Sequence, residues 1–513
     1  MESVSLSATL PFSPFSTLVF RKLRAWFVSN LALVILGALG TLLILVATRW
    51  GVGLRDDSFY YIQPAREILA GRPFFFHPHF PPFLPLVVTA VSLFGSEPLA
   101  SLRYLNAALF GVNIVLSGVI VRRLTSAPAF GALAALLVLV SPVTAEAHAW
   151  GMSEPLYFTL ALLNFYWLGR YFELPGLRWL LLAGAMAGLA FWTRYVGVAL
   201  LGAGLLALLL HPRLPLARRL RDCLAYGTIG SIPIFLYALR NLTVIGQPVN
   251  YRGFEWQPMV GKELAETLYT FLLWFMPGRL ARGREELAAY ALIGGLLALL
   301  AAFFFLNRPV FRSVWHTARS SPLLSLLLWF MATTFGVLYA AHYAVAYKSP
   351  FDSRLTSPIH LGMLLALAGL SAWLWRSGGR WLKFAVAAAA CLLVLLYLPR
   401  TLDMTRYFYQ HGAGFAARYW HESETIAYIR QRPDLPIIST APFGIYFWAN
   451  RLTAVVSAYD TGIALQSFLR ESGAVLIVFH TMPLDMYGID EKEYLRGLQK
   501  LIEMDDSTIY TLK

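Results

Sequence analysis

Apolar runs of about twenty residues alternate with short basic connections along most of the chain. The runs lie at roughly 27–49, 99–121, 127–147, 153–171, 179–193, 195–211, 222–240, 288–306, 322–345, 357–375 and 381–399. Twenty helical residues cross about 30 Å of hydrocarbon. The pattern therefore predicts a polytopic α-helical membrane protein of about eleven transmembrane helices. The fifth and sixth runs are short and meet at Arg194. After Pro399 the pattern changes. "ETIAYIRQRP" reads as helix, "LPIIST" and "AVLIVFH" as strands, "DEKEYLRGLQKLIEM" as helix and "STIYTL" as strand. Alternating signals of this kind predict a small α/β domain over 400–513.

Charge orients the runs. One alternating set of connections holds Arg21, Lys22 and Arg24; Arg122 and Arg123; Arg170 and Arg178; Arg213, Arg218, Arg219 and Arg221; Arg308, Arg312 and Arg319; and Arg376, Arg380 and Lys383. The acids there are Glu173 and Asp222. Basic loops stay in the cytoplasm, so this set is assigned to the cytoplasmic face together with an N-terminal tail, 1–26. The membrane domain is then 27–399, with a large external first loop at 50–98. A second external segment, 241–287, contains an amphipathic stretch, Lys262–Met276, suited to the interface. The α/β domain is external as well. The first run is too long for a cleaved signal peptide and has no clear small-residue cleavage site, so it reads as a retained anchor.

Composition agrees. The 513 residues are 58% hydrophobic and 14% charged, against about 25% charged in a soluble domain. The net charge of +14 sits in the membrane connections, which argues against nucleic acid as a partner and points to membrane lipids. Cys223 and Cys391 fall in or beside apolar runs and read as small core residues. The C-terminal segment has no G-x-G-x-x-G to bind a dinucleotide.

The first loop carries the candidate chemistry. It opens "GVGLRDDSFYYIQPAREILAGR", and Ser58–Ala70 reads as an amphipathic helix closed by Gly71. One reading of Asp57 is a helix N-cap. Ser58 can cap equally well, which leaves a carboxylate with no structural task. A carboxylate at a membrane rim, flanked by Arg55, Tyr60 and Tyr61, suits a general base that takes a proton from an attacking hydroxyl.

The stretches "DDSFYYIQPAREILAGR" and "HFPPFLPLVVTAVSLFG" resemble the first external loop of GT-C superfamily glycosyltransferases, in the manner of protein O-mannosyltransferases and aminoarabinose transferases. "GMSEPLYFTLALLNFYWLGRY", "WLLLAGAMAGLAFWTRYVG", "RNLTVIGQPV" and "FDSRLTSPIHLGML" follow in matching order over about the first 400 residues. The resemblance implies a GT-C-like fold and inverting transfer of a hexosyl or pentosyl group from a polyprenyl-phosphate carrier to an acceptor hydroxyl. The reaction would take place at the extracytoplasmic face, most simply of a bacterial inner membrane. It places the catalytic acid at Asp57. Many relatives have Asp-Glu where this chain has Asp57-Ser58 preceded by Asp56, so the choice between Asp56 and Asp57 stays open, with Asp57 preferred. The acceptor is a protein, a lipid or a glycan. The alternative class is a secondary transporter or lipid flippase, but neither inverted repeats nor charged midplane positions are evident in the sequence.

Other candidates follow. Glu154, in "GMSEPLY", is a helix-dipole partner or, by the resemblance, a cavity residue that binds hydroxyls or a cation. Arg194 and Tyr195 lie in "WTRYVG". Arg194 either snorkels or grips the leaving phosphate, for which a guanidinium is well shaped. Lys348, Asp352 and Arg354 form either a solvated turn or the second half of a phosphate clamp. Arg240 is a further contributor or an interfacial anchor. Tyr60, Tyr61 and Trp150 could stack on a sugar. His77 and His79, with Glu146 and His148, are the only metal-like grouping. "HPH" is weak ligand spacing, so no metal is assigned and no cofactor is required, although a divalent cation is compatible. His79 then reads as a substrate contact. Asn241-Leu-Thr243 matches a glycosylation sequon.

Overall fold

The computed structural model describes residues 30–248, 261–275, 294–295, 308–344, 351–456 and 461–513. The N-terminal tail, most of the expected eighth span at 288–306, and Lys348 lie outside them.

The bundle is built from α1 (Leu31–Ala47), α2 (Asp56–Leu69), α3 (Phe83–Ser92), α4 (Pro98–Thr125), α5 (Pro128–Val140), α6 (Pro142–Ala149), α7 (Glu154–Glu173) and α8 (Leu177–Thr193). It continues with α9 (Val198–Leu209), α10 (Leu216–Ile245), α11 (Gly261–Leu273), α12 (Arg308–Arg319), α13 (Pro322–Ala344), α14 (Ser353–Ser377) and α15 (Arg380–His411). Five of the described helices are long and apolar enough to cross a membrane by length and composition, or six if the bent pair α5–α6 counts as one span. This is a multi-pass membrane protein. The expected span at 288–306 lies outside the described residues, and several of the described apolar runs are broken or short. Pro142, at the first position of α6 and capped by Ser141, bends the third run by 56°. At Arg194 the backbone is extended (φ −153°, ψ 137°) and a 3₁₀ turn, Tyr195–Gly197, separates α8 from α9. Those two helices have 17 and 12 residues.

α4 lies at the centre, flanked by α1, α5, α7 and α14. In lipid, helices associate through close packing of small residues, and the α1–α4 crossing shows it. A Cβ on Gly111 would stand 2.3 Å from Thr41 Oγ1 and 2.8 Å from the Gly37 carbonyl oxygen. Any larger residue there would force the helices apart.

The C-terminal segment folds as α16 (Arg418–His421), α17 (Glu424–Arg430), α18 (Pro442–Ala449), α19 (Gly462–Ser472) and α20 (Glu491–Tyr494) around five strands. These are β1 (Ile437–Ser439), β2 (Ala454–Val455), β3 (Val475–Phe479), β4 (Leu498–Glu503) and β5 (Ser507–Leu512). The sheet order is β2-β1-β3-β5-β4. β1 runs parallel to β2 and β3, while β5 is antiparallel to β3 and β4. One expectation is corrected. "DEKEYLRGLQKLIEM" is not a single helix: α20 stops after one turn, Gly497 turns the chain at φ +85°, and Leu498–Glu503 pairs with β5 as a strand.

The bundle and this sheet meet at the first-loop end. Leu54 forms a parallel bridge with Gly414, and Gly53 forms one with Trp150. Arg66 of α2 donates to the carbonyls of Tyr446 (3.0 Å) and Phe447 (3.1 Å) at the end of α18 and to Asn450 Oδ1 (3.3 Å). It also pairs with Glu97 at 2.7 Å. Phe59 packs against Phe443 and Tyr446. α2 is thus held against the C-terminal segment near its start by Phe59 and in its last turn by Arg66.

Candidate active site

At the start of α2 the capping is done by serine. Ser58 Oγ accepts the Arg55 N–H at 3.0 Å, and Arg55 is the N-cap residue. Asp56 and Asp57 occupy the first two helical positions, where the helix dipole favours negative charge, and neither caps the helix.

Asp57 reaches across the bundle instead. Its Oδ2 accepts from both Nη1 and Nη2 of Arg354, each at 3.2 Å. Arg354 Nε stands 3.2 Å from Glu154 Oε1. Arg194 Nη1 also pairs with Glu154 Oε1 and donates to Ser153 Oγ at 3.3 Å, an oxygen that accepts from Tyr61 OH at 3.4 Å as well. Two carboxylates and two guanidiniums thus form one chain: Asp57, Arg354, Glu154, Arg194. The Glu154 side chain is 1% exposed and that of Asp57 34%. A buried carboxylate is tolerable only when paired, and Glu154 has two cationic partners.

The local folds explain the placement. Glu154 opens α7 beside Pro155. Arg194 sits at the break between α8 and α9. Asp352 caps α14 by accepting the Leu355 N–H at 2.8 Å, which frees Arg354, in the first turn, for distant partners. Burial pushes the Tyr61 phenol up to about 12, so Tyr61 is a standing hydrogen donor. Asp56 is the more exposed aspartate. Desolvation by the surrounding protein, and then the charge of Asp57, raise its carboxyl above the usual range.

A cavity of about 290 Å³ adjoins the cluster, its wall including Arg55, Trp150, Met152, Glu154, Asp352 and Arg354. The Arg55 guanidinium lies over the Trp150 ring, 4.3 Å from its centroid. Asp56 and Asp57 are not on this wall. Asp57 meets it through Arg354.

Four other candidates gather elsewhere, around residues 76–80. Tyr195 OH and Tyr237 OH both donate to the Pro78 carbonyl, the latter at 2.8 Å. Arg240 donates to the Phe76 carbonyl and lies over the Phe75 ring. Tyr60 stacks on Phe80 with ring centroids 4.3 Å apart and leans on His77. His79 stacks on His77, their Nδ1 atoms 3.1 Å apart. The four-residue metal grouping does not assemble. His148 is buried, in contact with Asn113 Nδ2 at 3.0 Å and the Thr144 carbonyl at 2.6 Å. Among the described residues no three His, Cys, Asp or Glu side chains come together as metal ligands. Asn241 of the sequon is buried within α10. Sequence reasoning missed Ser153 and Tyr237. Ser153 adjoins Glu154 in "GMSEPLY", which was the available signal; nothing local marked Tyr237.

Residues 77–239 match the family model described as dolichyl-phosphate-mannose-protein mannosyltransferase. ArnT from Cupriavidus metallidurans, in its apo state, superposes with a TM-score of 0.53 at 15% identity, covering 95% of this chain and 98% of that one. The archaeal oligosaccharyltransferase AglB from Archaeoglobus fulgidus, solved with an inhibitory peptide and a dolichol-phosphate, gives 0.52 at 13% identity, covering 88% and 70%. The chain has a GT-C fold. The arabinofuranosyltransferase AftD from Mycobacteria, also GT-C, gives 0.50 at 16% identity over 93% of this chain and 41% of its own. No curated protein matches by sequence. Within the GT-C fold, the family match begins at His77, so it includes Glu154 and Arg194 and leaves Asp56, Asp57 and Arg354 outside.

Proposed function

We propose that the protein is an inverting glycosyltransferase that moves a sugar from a polyprenyl-phosphate carrier to an acceptor hydroxyl at the extracytoplasmic membrane face. The observation that carries the reading is the Asp57–Arg354–Glu154–Arg194 chain beside an open cavity. The dolichol-phosphate held by AglB supports a lipid-linked donor.

The chemistry follows from the donor and acceptor counts. Arg354 engages only Oδ2 of Asp57, so Oδ1 is available to an acceptor hydroxyl. The acceptor oxygen attacks the anomeric carbon from the face opposite the phosphate. Its proton passes to Asp57, the carbon–oxygen bond to phosphate breaks, and the polyprenyl phosphate leaves with the electron pair. A guanidinium has five N–H groups. Asp57 takes one from each Nη of Arg354 and Glu154 faces Nε, which leaves two for the leaving phosphate. Arg194 supplies a second guanidinium. Fixed cations aimed at developing negative charge stabilise it without reorganisation, and Glu154 keeps both in place. No resident metal or cofactor is required in this scheme.

The test is transfer from a panel of polyprenyl-phosphate sugars by the purified protein, with the product read by mass spectrometry and its anomeric configuration by NMR. Asp57→Asn should lower turnover about 10²–10⁴-fold with an unchanged melting temperature. Wild-type turnover in Asp57→Asn with loss in Asp56→Asn would move the base to Asp56, and retained configuration would remove the inverting mechanism.

A further inference from the structure

A second recess, of about 800 Å³, opens where α1 and α15 leave the bundle. It is bordered by Arg49, Tyr407, Tyr409, His411, the 412–414 backbone and α16 with Arg418 and Glu422. Its position relative to the bilayer can be read from the helices below it. Leu31, Ile35, Leu39, Leu42 and Val46 form an exposed apolar ladder on α1, and Leu392, Leu395, Leu398 and Leu402 form one on α15. Such ladders face lipid tails. They end at Val46 and Leu402, and the next exposed side chains are Arg49 beyond α1 and Asp403, Arg406, Tyr407 and Tyr409 on α15. The recess therefore lies at headgroup level, directly above two tail-lined helices.

Its chemistry is cationic and aromatic. The Arg49 guanidinium lies 4.1 Å from the Tyr409 ring centroid and 4.8 Å from that of Trp50, and it makes no ion pair among the described residues. Arg418 lies 5.9 Å from the Trp50 ring centroid and pairs with Glu422 at 2.7 Å. With His411 neutral, the pocket carries one uncompensated positive charge. A solvated belt residue needs no concavity. Here an arginine set against two rings lines a hollow, and its planar fork suits bidentate contact with phosphate. We propose that this recess binds the phosphate-bearing headgroup of a membrane lipid, whose acyl chains lie along the α1 and α15 ladders. The site is distinct from the catalytic cavity. At its floor Leu54, three residues before Asp57, donates its N–H to the Ala413 carbonyl and accepts the Phe415 N–H, bridging Gly414.

The full-length protein, purified in mild detergent, would be presented with phosphatidylglycerol and phosphatidylcholine and the retained lipid counted by native mass spectrometry. Phosphatidylglycerol should be retained preferentially. Arg49→Gln should weaken retention about fivefold, since one arginine near an anionic headgroup contributes about that factor, while Arg49→Lys should keep most of it. Arg49 is exposed, and a melting temperature checks that each variant is folded. Equal retention by folded Arg49→Gln would overturn the proposal. Displacement of the lipid by millimolar inorganic phosphate alone would also overturn it, by making the ligand a soluble anion; glycerol phosphate should likewise fail to displace it.

Discussion

Two groups of polar side chains stand at the first-loop end of the bundle, and they use their charge differently. In the Asp57–Arg354–Glu154–Arg194 chain, cations meet carboxylates, and the partners come from four separate segments. In the Tyr195–Tyr237–Arg240 group, side chains meet backbone carbonyls of residues 76–78. A group that donates to a carbonyl of its own chain fixes that chain. A guanidinium shared between two carboxylates still has N–H groups to offer a ligand. Arg240 and Arg194, alike in sequence as arginines near span ends, therefore belong to different tasks: Arg240 latches the loop, and Arg194 belongs to the charge cluster.

Breaking the cluster at its centre should have the largest effect on stability. Glu154→Ala leaves two guanidiniums without their shared carboxylate in a buried setting, which costs about 3–5 kcal/mol. Thermal unfolding in detergent reads this directly. An unchanged melting temperature would mean that Glu154 does not hold the pair. The latch should respond less and elsewhere. Arg240→Ala removes a charge-assisted hydrogen bond, about 1.5–3 kcal/mol, and its effect should concentrate on the loop. Phe74 and Phe75 are exposed in the loop, so limited chymotrypsin digestion should cut there faster in Arg240→Ala than in Glu154→Gln. Equal cutting rates would erase the distinction between the two groups.

How far the sequence reached depends on the range of the interaction. The loop helix expected over 58–70 is present as Asp56–Leu69, and the break between the fifth and sixth runs is at Arg194, because apolar period and helix termination are local signals. Asp352 and Arg354 show where local reading stops. Their spacing allowed a pair within one turn, yet Asp352 is engaged by the Leu355 amide and Arg354 pairs with Asp57, 297 positions away. No spacing rule encodes that choice; it is made when α2, α7 and α14 pack together. The misread strand after Gly497 has the same origin. "LQKLIE" is compatible with a helix until β5 supplies its hydrogen-bond partners. Tyr195 and Arg240 were legible as polar residues at span ends, but their carbonyl partners were not, since carbonyls leave no mark in a sequence.

The smallest effect separates the two adjacent aspartates. The Asp56 carboxyl is raised by desolvation and by the Asp57 charge. A carboxyl with a folded-state pKa above its unfolded value binds its proton more tightly when folded. Its contribution to stability is complete below the unfolded pKa, near the ordinary carboxylate range, and is lost as pH rises through the higher folded value. Asp56→Asn removes that titration. Its melting temperature relative to wild type should therefore improve slightly as pH climbs through this window and be level above it, and Asp57→Ala should lower the folded value by removing the repelling charge. If Asp56→Asn instead loses ground over the same window, the Asp56 carboxylate has a stabilising partner. The charge at the start of α2 would then belong to one network with the Arg354 pair rather than standing apart from it.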